Sequence, residues 1–177
     1  MTKLTRTARG AVIALVLALV WATPAAAVQP TRTVTHLTGD RVGHFPAGTG
    51  CTFDVTVYVN SRAHVTVTEF SDGREVYEVH SMKRTITSDV TGTSFVENQE
   101  YHDVEWIDPT SGLRLGESSG QFIDQFFPGD VGPYGVVDQP VAFAIIGSQT
   151  YVLDPTTYAT LALTIEGTVT NICAAIS

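Results

Sequence analysis

The chain has 177 residues, 18 acidic against 10 basic, and a formal charge of −8 at pH 7. A field of that sign repels phosphate backbones and anionic lipid surfaces, so nucleic acid is excluded as a partner, while cations, basic peptides and neutral sugars fit it better. The length suits one ordinary domain with a single core.

The chain opens with MTKLTRTARGAVIALVLALVWATPAAAVQP. Lys3, Arg6 and Arg9 make a basic start, Ala11 to Val20 an apolar run extended by Trp21 and Ala22, and Ala25-Ala26-Ala27 the small residues of a cleavage site. These three parts in this order predict a secretory signal peptide over residues 1–27, cut between Ala27 and Val28. A membrane anchor would need about 20 apolar residues, and this run is shorter and ends in Pro24. With no paired arginines and no cysteine after the cut, the general export route is expected and lipidation is not. The expected product is a secreted, extracellular protein with no membrane partner after cleavage. Losing three basic residues takes its charge from −8 to −11 and leaves Lys83 as its one lysine.

Thr and Val supply 40 of the 150 residues that follow. Both are β-branched and favour a pleated backbone, and no segment holds helical apolar spacing for long. Residues 28–50 read as a loose N-terminal arm, with one short strand near Thr33 to Leu37 and a loop at FPAGTG. A β-domain is predicted over 51–177. Its first clear strand is TFDVTVYVN, with Phe53, Val55, Val57 and Val59 on one face. AHVTVTEF follows, then Asp72-Gly73 as a hairpin turn, then EVYEVH. MKRTITSDV and TSFVENQEYHDVEWID read as further strands joined by a turn at Thr91-Gly92, and DPTSG as a tight turn. QFIDQFF is a short strand, and residues 128–140 (PGDVGPYGVVDQP) are the longest irregular piece. VAFAII and TYVL read as two short strands around Gly147, and YATLALTIEGTVTNIC as the last. Eight to ten strands with regular turn signals predict an all-β fold, a single antiparallel β-barrel or β-sandwich.

Cys51 shares its parity with Phe53, Val55, Val57 and Val59, and Cys173 with Leu161, Leu163, Ile165 and Val169. Both thiols should face the apolar side, provided that Gly167 is no bulge. If the first strong strand and the last are neighbours, a disulfide closes the domain in the oxidising compartment that the leader implies. Without a C-x-x-C spacing, a catalytic dithiol is not indicated. Cys51-Thr52-Phe53-Asp54-Val55, Thr91-Gly92, Gly132-Pro133-Tyr134-Gly135 and Cys173 together resemble a broad set of actinobacterial secreted proteins, bacterial β-domains with a Cys-x-Phe-x-Val opening strand, a Thr-Gly turn, a Gly-Pro loop and a C-terminal cysteine. The resemblance implies export, β architecture and the disulfide; it brings no catalytic residue.

The densest polar cluster is ENQEYHDVEW. In a strand, Glu100 and His102 share one face with Val104 and Trp106, and Tyr101, Asp103 and Glu105 the other. Glu100 and His102 are the candidate polar pair, weighed against a plain solvated face. His36, Asp40 and His44 recur at spacings of four, but Thr38, Gly39 and Gly43 oppose a helix, and no H-E-x-x-H pattern exists, so no metal site is expected. GESSGQ is not a nucleophile elbow. Asp130 and Asp138 lack the dense spacing of a Ca²⁺ loop. No cofactor is predicted. Phe126, Phe127 and Tyr134 form either a recognition patch or the end of the core. Three roles stay open at this level. The first is a non-catalytic binding or structural domain. The second is a lipocalin-like or cyclase-like barrel, marked by an apolar cavity. The third is a small hydrolase, marked by two carboxyls across a groove.

Overall fold

The computed structural model describes residues 29–37, 39–60 and 62–177; the expected leader and its expected Ala27–Val28 cleavage site lie outside them. In chain order the strands are β1 (Thr31–His36), β2 (Arg41–Phe45), β3 (Val55–Val59), β4 (His64–Glu69), β5 (Glu75–Ser88), β6 (Ser94–Ile107), β7 (Arg114–Phe126), β8 (Val131–Gly132), β9 (Gly135–Val136), β10 (Val141–Leu153) and β11 (Thr160–Asn171), followed by one helical turn and a half, α1 (Ile172–Ile176). Nine of the strands form one antiparallel sheet in the order β1-β4-β5-β6-β7-β10-β11, with β3 on the same edge of β5 as β4, and β2 beyond β3. β8 and β9 form a separate small ribbon. The architecture is all-β and antiparallel, and the sheet is not closed into a barrel.

The N-terminal segment expected as a loose arm with one strand carries two, β1 and β2, both hydrogen-bonded into the sheet at its outer margin. Several strands are also longer than their sequence suggests. EVYEVH and MKRTITSDV are one strand, β5, whose register breaks between Val79 and Met82, where Ser81 has φ 54°. VAFAII and TYVL are likewise one strand, β10. Gly147 does not end it, because Gly147 faces Gly120 of β7 on one side and Gly167 of β11 on the other. All three glycines have φ between 120° and 151°, open only to residues without a Cβ. Where a side chain would stand, each meets backbone of the next strand. The glycine row lets the three long strands approach closely there with no shift of register, and Gly167 is accordingly no bulge.

The sheet forks. β6 pairs with β7 only from Glu100 to Ile107, while residues 94–99 of β6 pair with β5 alone and residues 122–126 of β7 with β10 alone. Beyond the fork, Val55 of β3 and Ile86 of β5 belong to the same buried cluster as Ala142 and Ala144 of β10, with Ile123 of β7 packed on it. α1 fills the end of this double layer. Asn171 caps it by accepting from Ala174 N at 2.9 Å, and Ile172 and Ile176 are fully buried. Burial of each isoleucine stabilises by about 2 kcal/mol. Thr91 donates to Ile176 O at 2.7 Å, which pins the helix end to the β5–β6 turn. On the other side, Phe122, Phe126, Phe143 and Ile145 form a second cluster beneath the irregular loop.

Cys51 and Cys173 form the expected disulfide, with their Cα atoms 5.6 Å apart and a sequence separation of 122. Each lies just outside a strand, Cys51 in the bend before β3 and Cys173 in α1. β3 and β11 are not hydrogen-bonded neighbours. The two sulfurs meet because the fork stacks one layer on the other and α1 turns Cys173 inward.

Candidate functional site: two cavities at the fork

The first cavity lies between the layers. Its volume is about 240 Å³, and its wall is chiefly Val55, Val57 and Val59 of β3, Ile86 of β5, Ile123 of β7 and Ile172 of α1, with Phe45 of β2 at the margin. The strand alternation explains it: odd residues of β3 point inward, and at this position they meet no side chain large enough to fill the gap. One charged residue shares the wall, Arg84 of β5. Its Nε is buried without a hydrogen-bond partner, and no described carboxylate lies within ion-pair distance of it. Burial pulls its pKa below the usual arginine value, against the opposing pull of Tyr101 and Glu97.

Directly across from Arg84 on β6 stands Glu97, 3% exposed, with both carboxyl oxygens buried and unbonded. Burial raises its pKa from 4.5 to about 7, and Arg84 only partly offsets this. A carboxyl whose folded pKa lies above its unfolded value favours the fold when protonated. That contribution is present at low pH and is lost as pH rises through about 7. Denaturant titrations should therefore show a less stable protein at pH 8 than at pH 5.5. The Glu97→Gln variant should be more stable than the parent at pH 8, by roughly 2 kcal/mol, with a flatter pH profile. Equal slopes for the two proteins would contradict this placement of Glu97.

The second cavity, of about 260 Å³, shares Ile123 and Gln125 with the first and is polar. A continuous network runs along it. Tyr151 OH donates to Asp103 Oδ1 at 2.8 Å and lies 2.9 Å from Glu105 Oε1; Ser118 donates to Asp103 Oδ1 at 2.6 Å. Gln149 Nε2 donates to Ser118 Oγ at 3.3 Å and to Asp124 Oδ2 at 2.6 Å. Strand register assembles these residues, since Asp103 faces Ser118 and Ser118 faces Gln149 across three adjacent strands. Gly116 makes room for the ring of Tyr151, which occupies the place where its Cβ would be. Burial raises Asp124 to about 6, against the bond from Gln149, and raises Asp103 against the bonds from Ser118 and Tyr151. The Tyr151 hydroxyl is raised too, by burial first and then by the two carboxylates.

The residues singled out from sequence lie elsewhere. Glu100 and His102 are on the outward, exposed face of β6. Glu100 Oε1 is 3.3 Å from His80 Nδ1, in line with a cross-strand row in which His80 stacks on His64 and His64 tilts against His36. His36, Asp40 and His44 do not converge. Asp40 accepts from Tyr58, and His44 Nδ1 is 2.8 Å from Thr56 Oγ1. Asp130 is a loop staple, accepting from Phe127 N and Thr160 N at 2.7 and 2.9 Å. Phe126 is core, Phe127 and Tyr134 are exposed, and Tyr134 packs edge-on against Phe143 at 5.7 Å. Among the described residues no group of three His, Cys, Asp or Glu is arranged to hold a metal ion. Asp103, Ser118, Asp124, Gln149 and Tyr151 were not grouped by sequence reasoning. Parity alone does not single them out: Glu97, Gln99, Tyr101, Asp103 and Glu105 share the parity of Phe95, and Glu100 and His102 that of Val96, Val104 and Trp106.

No helix among the described residues is long and apolar enough to cross a membrane. Compared with known proteins, the chain matches no family model, no curated protein and no solved structure.

Proposed function

We propose that this is an exported, non-catalytic binding protein whose fork cavity takes a small amphipathic anion, an apolar chain ending in an acidic head. The observation that carries this reading is Arg84 Nε, buried and unpartnered in a wall that is apolar apart from Arg84 and Gln125. An apolar lining with one or two placed polar groups is the usual chemistry of a small-molecule site. A buried guanidinium nitrogen without a partner is costly unless a ligand supplies the acceptor. The leader sequence and the disulfide support export.

Binding follows from electrostatic competition. Glu97 is the one carboxyl directly across from Arg84, and Tyr101 is the other titratable group acting on that guanidinium. As pH falls through about 7, Glu97 takes up a proton and leaves the cation to the ligand. Isothermal titration with octanoate should therefore show tighter binding at pH 6.5 than at pH 8. At pH 8, Glu97→Gln should tighten it several-fold. Arg84→Met should weaken it about tenfold, on the order of 1.4 kcal/mol, and should leave octanol binding unchanged. The double variant Arg84→Met/Glu97→Gln removes both charges and keeps the fold from carrying an unpaired one. Octanoate affinity equal to the parent's in that variant would overturn the proposal.

A further inference from the structure

We infer that the polar cavity is a second binding site, adjoining the apolar one, and that its ligand is a small organic ammonium ion. The hydrogens of the network are spent inside it. Ser118 and Tyr151 give theirs to carboxylates, and Gln149 uses its amide hydrogens on Ser118 and Asp124. Its acceptors are not spent. Gln149 is 4% exposed, and its Oε1 has no partner. Asp103 and Asp124 each accept through one oxygen only among the described residues. Unused acceptors around a cavity call for a ligand that donates.

Charge points the same way. Glu105 is balanced by Arg114, whose Nη1 lies 2.5 Å from its Oε2. Asp103 and Asp124 have no such partner, so the cavity carries uncompensated negative charge. Burial raises both carboxyls, which a bound cation would reverse. Tyr101, Phe122 and Phe126 supply aromatic wall, suited to the carbon part of an amine and to its charge. Tyr158 lines the cavity from the β10–β11 turn with φ 61°, and the Arg114 guanidinium sits 5.1 Å from its ring. A backbone held in that region by a non-glycine residue is a local cost of the kind concentrated at ligand sites.

The test uses benzylamine, with benzyl alcohol as its neutral isostere, by isothermal titration at pH 7.5. Benzylamine should bind at least tenfold more tightly than the alcohol. Asp124→Asn should abolish that preference while leaving the protein at least as stable as the parent, since it removes a buried charge. Gln149→Leu, which keeps both carboxylates, should weaken benzylamine several-fold. Equal affinity for amine and alcohol in the parent protein would sink the inference without need of any variant. So would unchanged benzylamine binding in a folded Asp124→Asn protein. Octanoate binding should be the same in the parent and in Asp124→Asn, so that either site can fail alone.

Discussion

Replacing Cys51 and Cys173 together with serine should cost about 4–5 kcal/mol in unfolding free energy. The bond spans 122 residues, and in the loop-entropy picture a link of that span removes close to 5 kcal/mol of freedom from the unfolded chain. Typical domains have only 5–15 kcal/mol in total, so the variant should unfold at far lower denaturant, with a folded population reduced at 37 °C. The loss should also be local. Cys51 and Cys173 belong to the cluster that joins the fork layers to α1, where Ile172 and Ile176 are fully buried. Hydrogen exchange should therefore speed up first in residues 172–177 and around residue 50. A stability loss under 1 kcal/mol would mean that packing alone holds the layers.

The second large effect is expected at Gly147. A methyl group there would be driven into the carbonyl of Glu166 on β11, at a φ of 144° that alanine rarely adopts. Backbone, unlike a flexible side chain, cannot step aside, so Gly147→Ala combines overpacking with dihedral strain. It should cost 3 kcal/mol or more. Gly73→Ala, in a turn where a Cβ meets nothing within 4 Å, should cost only the strain of its φ of 84°, about 1 kcal/mol. Comparable losses in the two variants would remove the glycine row as the device that lets β7, β10 and β11 approach so closely.

The all-β class was legible because alternation is a local property. Val55, Val57 and Val59 face inward as their parity demands, and Asp72-Gly73 and Thr91-Gly92 turn the chain where glycine allows positive φ. The disulfide was legible from the expected export signal and from parity, although Cys173 faces inward through a capped helical turn that parity does not describe. Strand length was not legible at Gly147, since a glycine reads as a break unless its cross-strand neighbours are also known to be glycine. The interior polar residues were hidden for a related reason. ENQEYHDVEW has apolar side chains on both parities, so nothing local says which face is buried. Val104 and Trp106 made the face of Glu100 and His102 look as deserving as that of Tyr101, Asp103 and Glu105. The outcome depends on partners far away, Ser118 on β7 and Gln149 on β10, which only register brings together.

The most direct test of the proposed role is to observe where octanoate sits. In intermolecular NOE spectra of the disulfide-bonded protein with methyl-labelled Val and Ile, the octanoate chain protons should contact Val55, Val57, Val59 and Ile86, and Arg84→Met should weaken those contacts at a matched, sub-saturating concentration. NOEs confined to exposed apolar side chains such as Val90 or Val136, or none at all at saturating octanoate, would contradict the account.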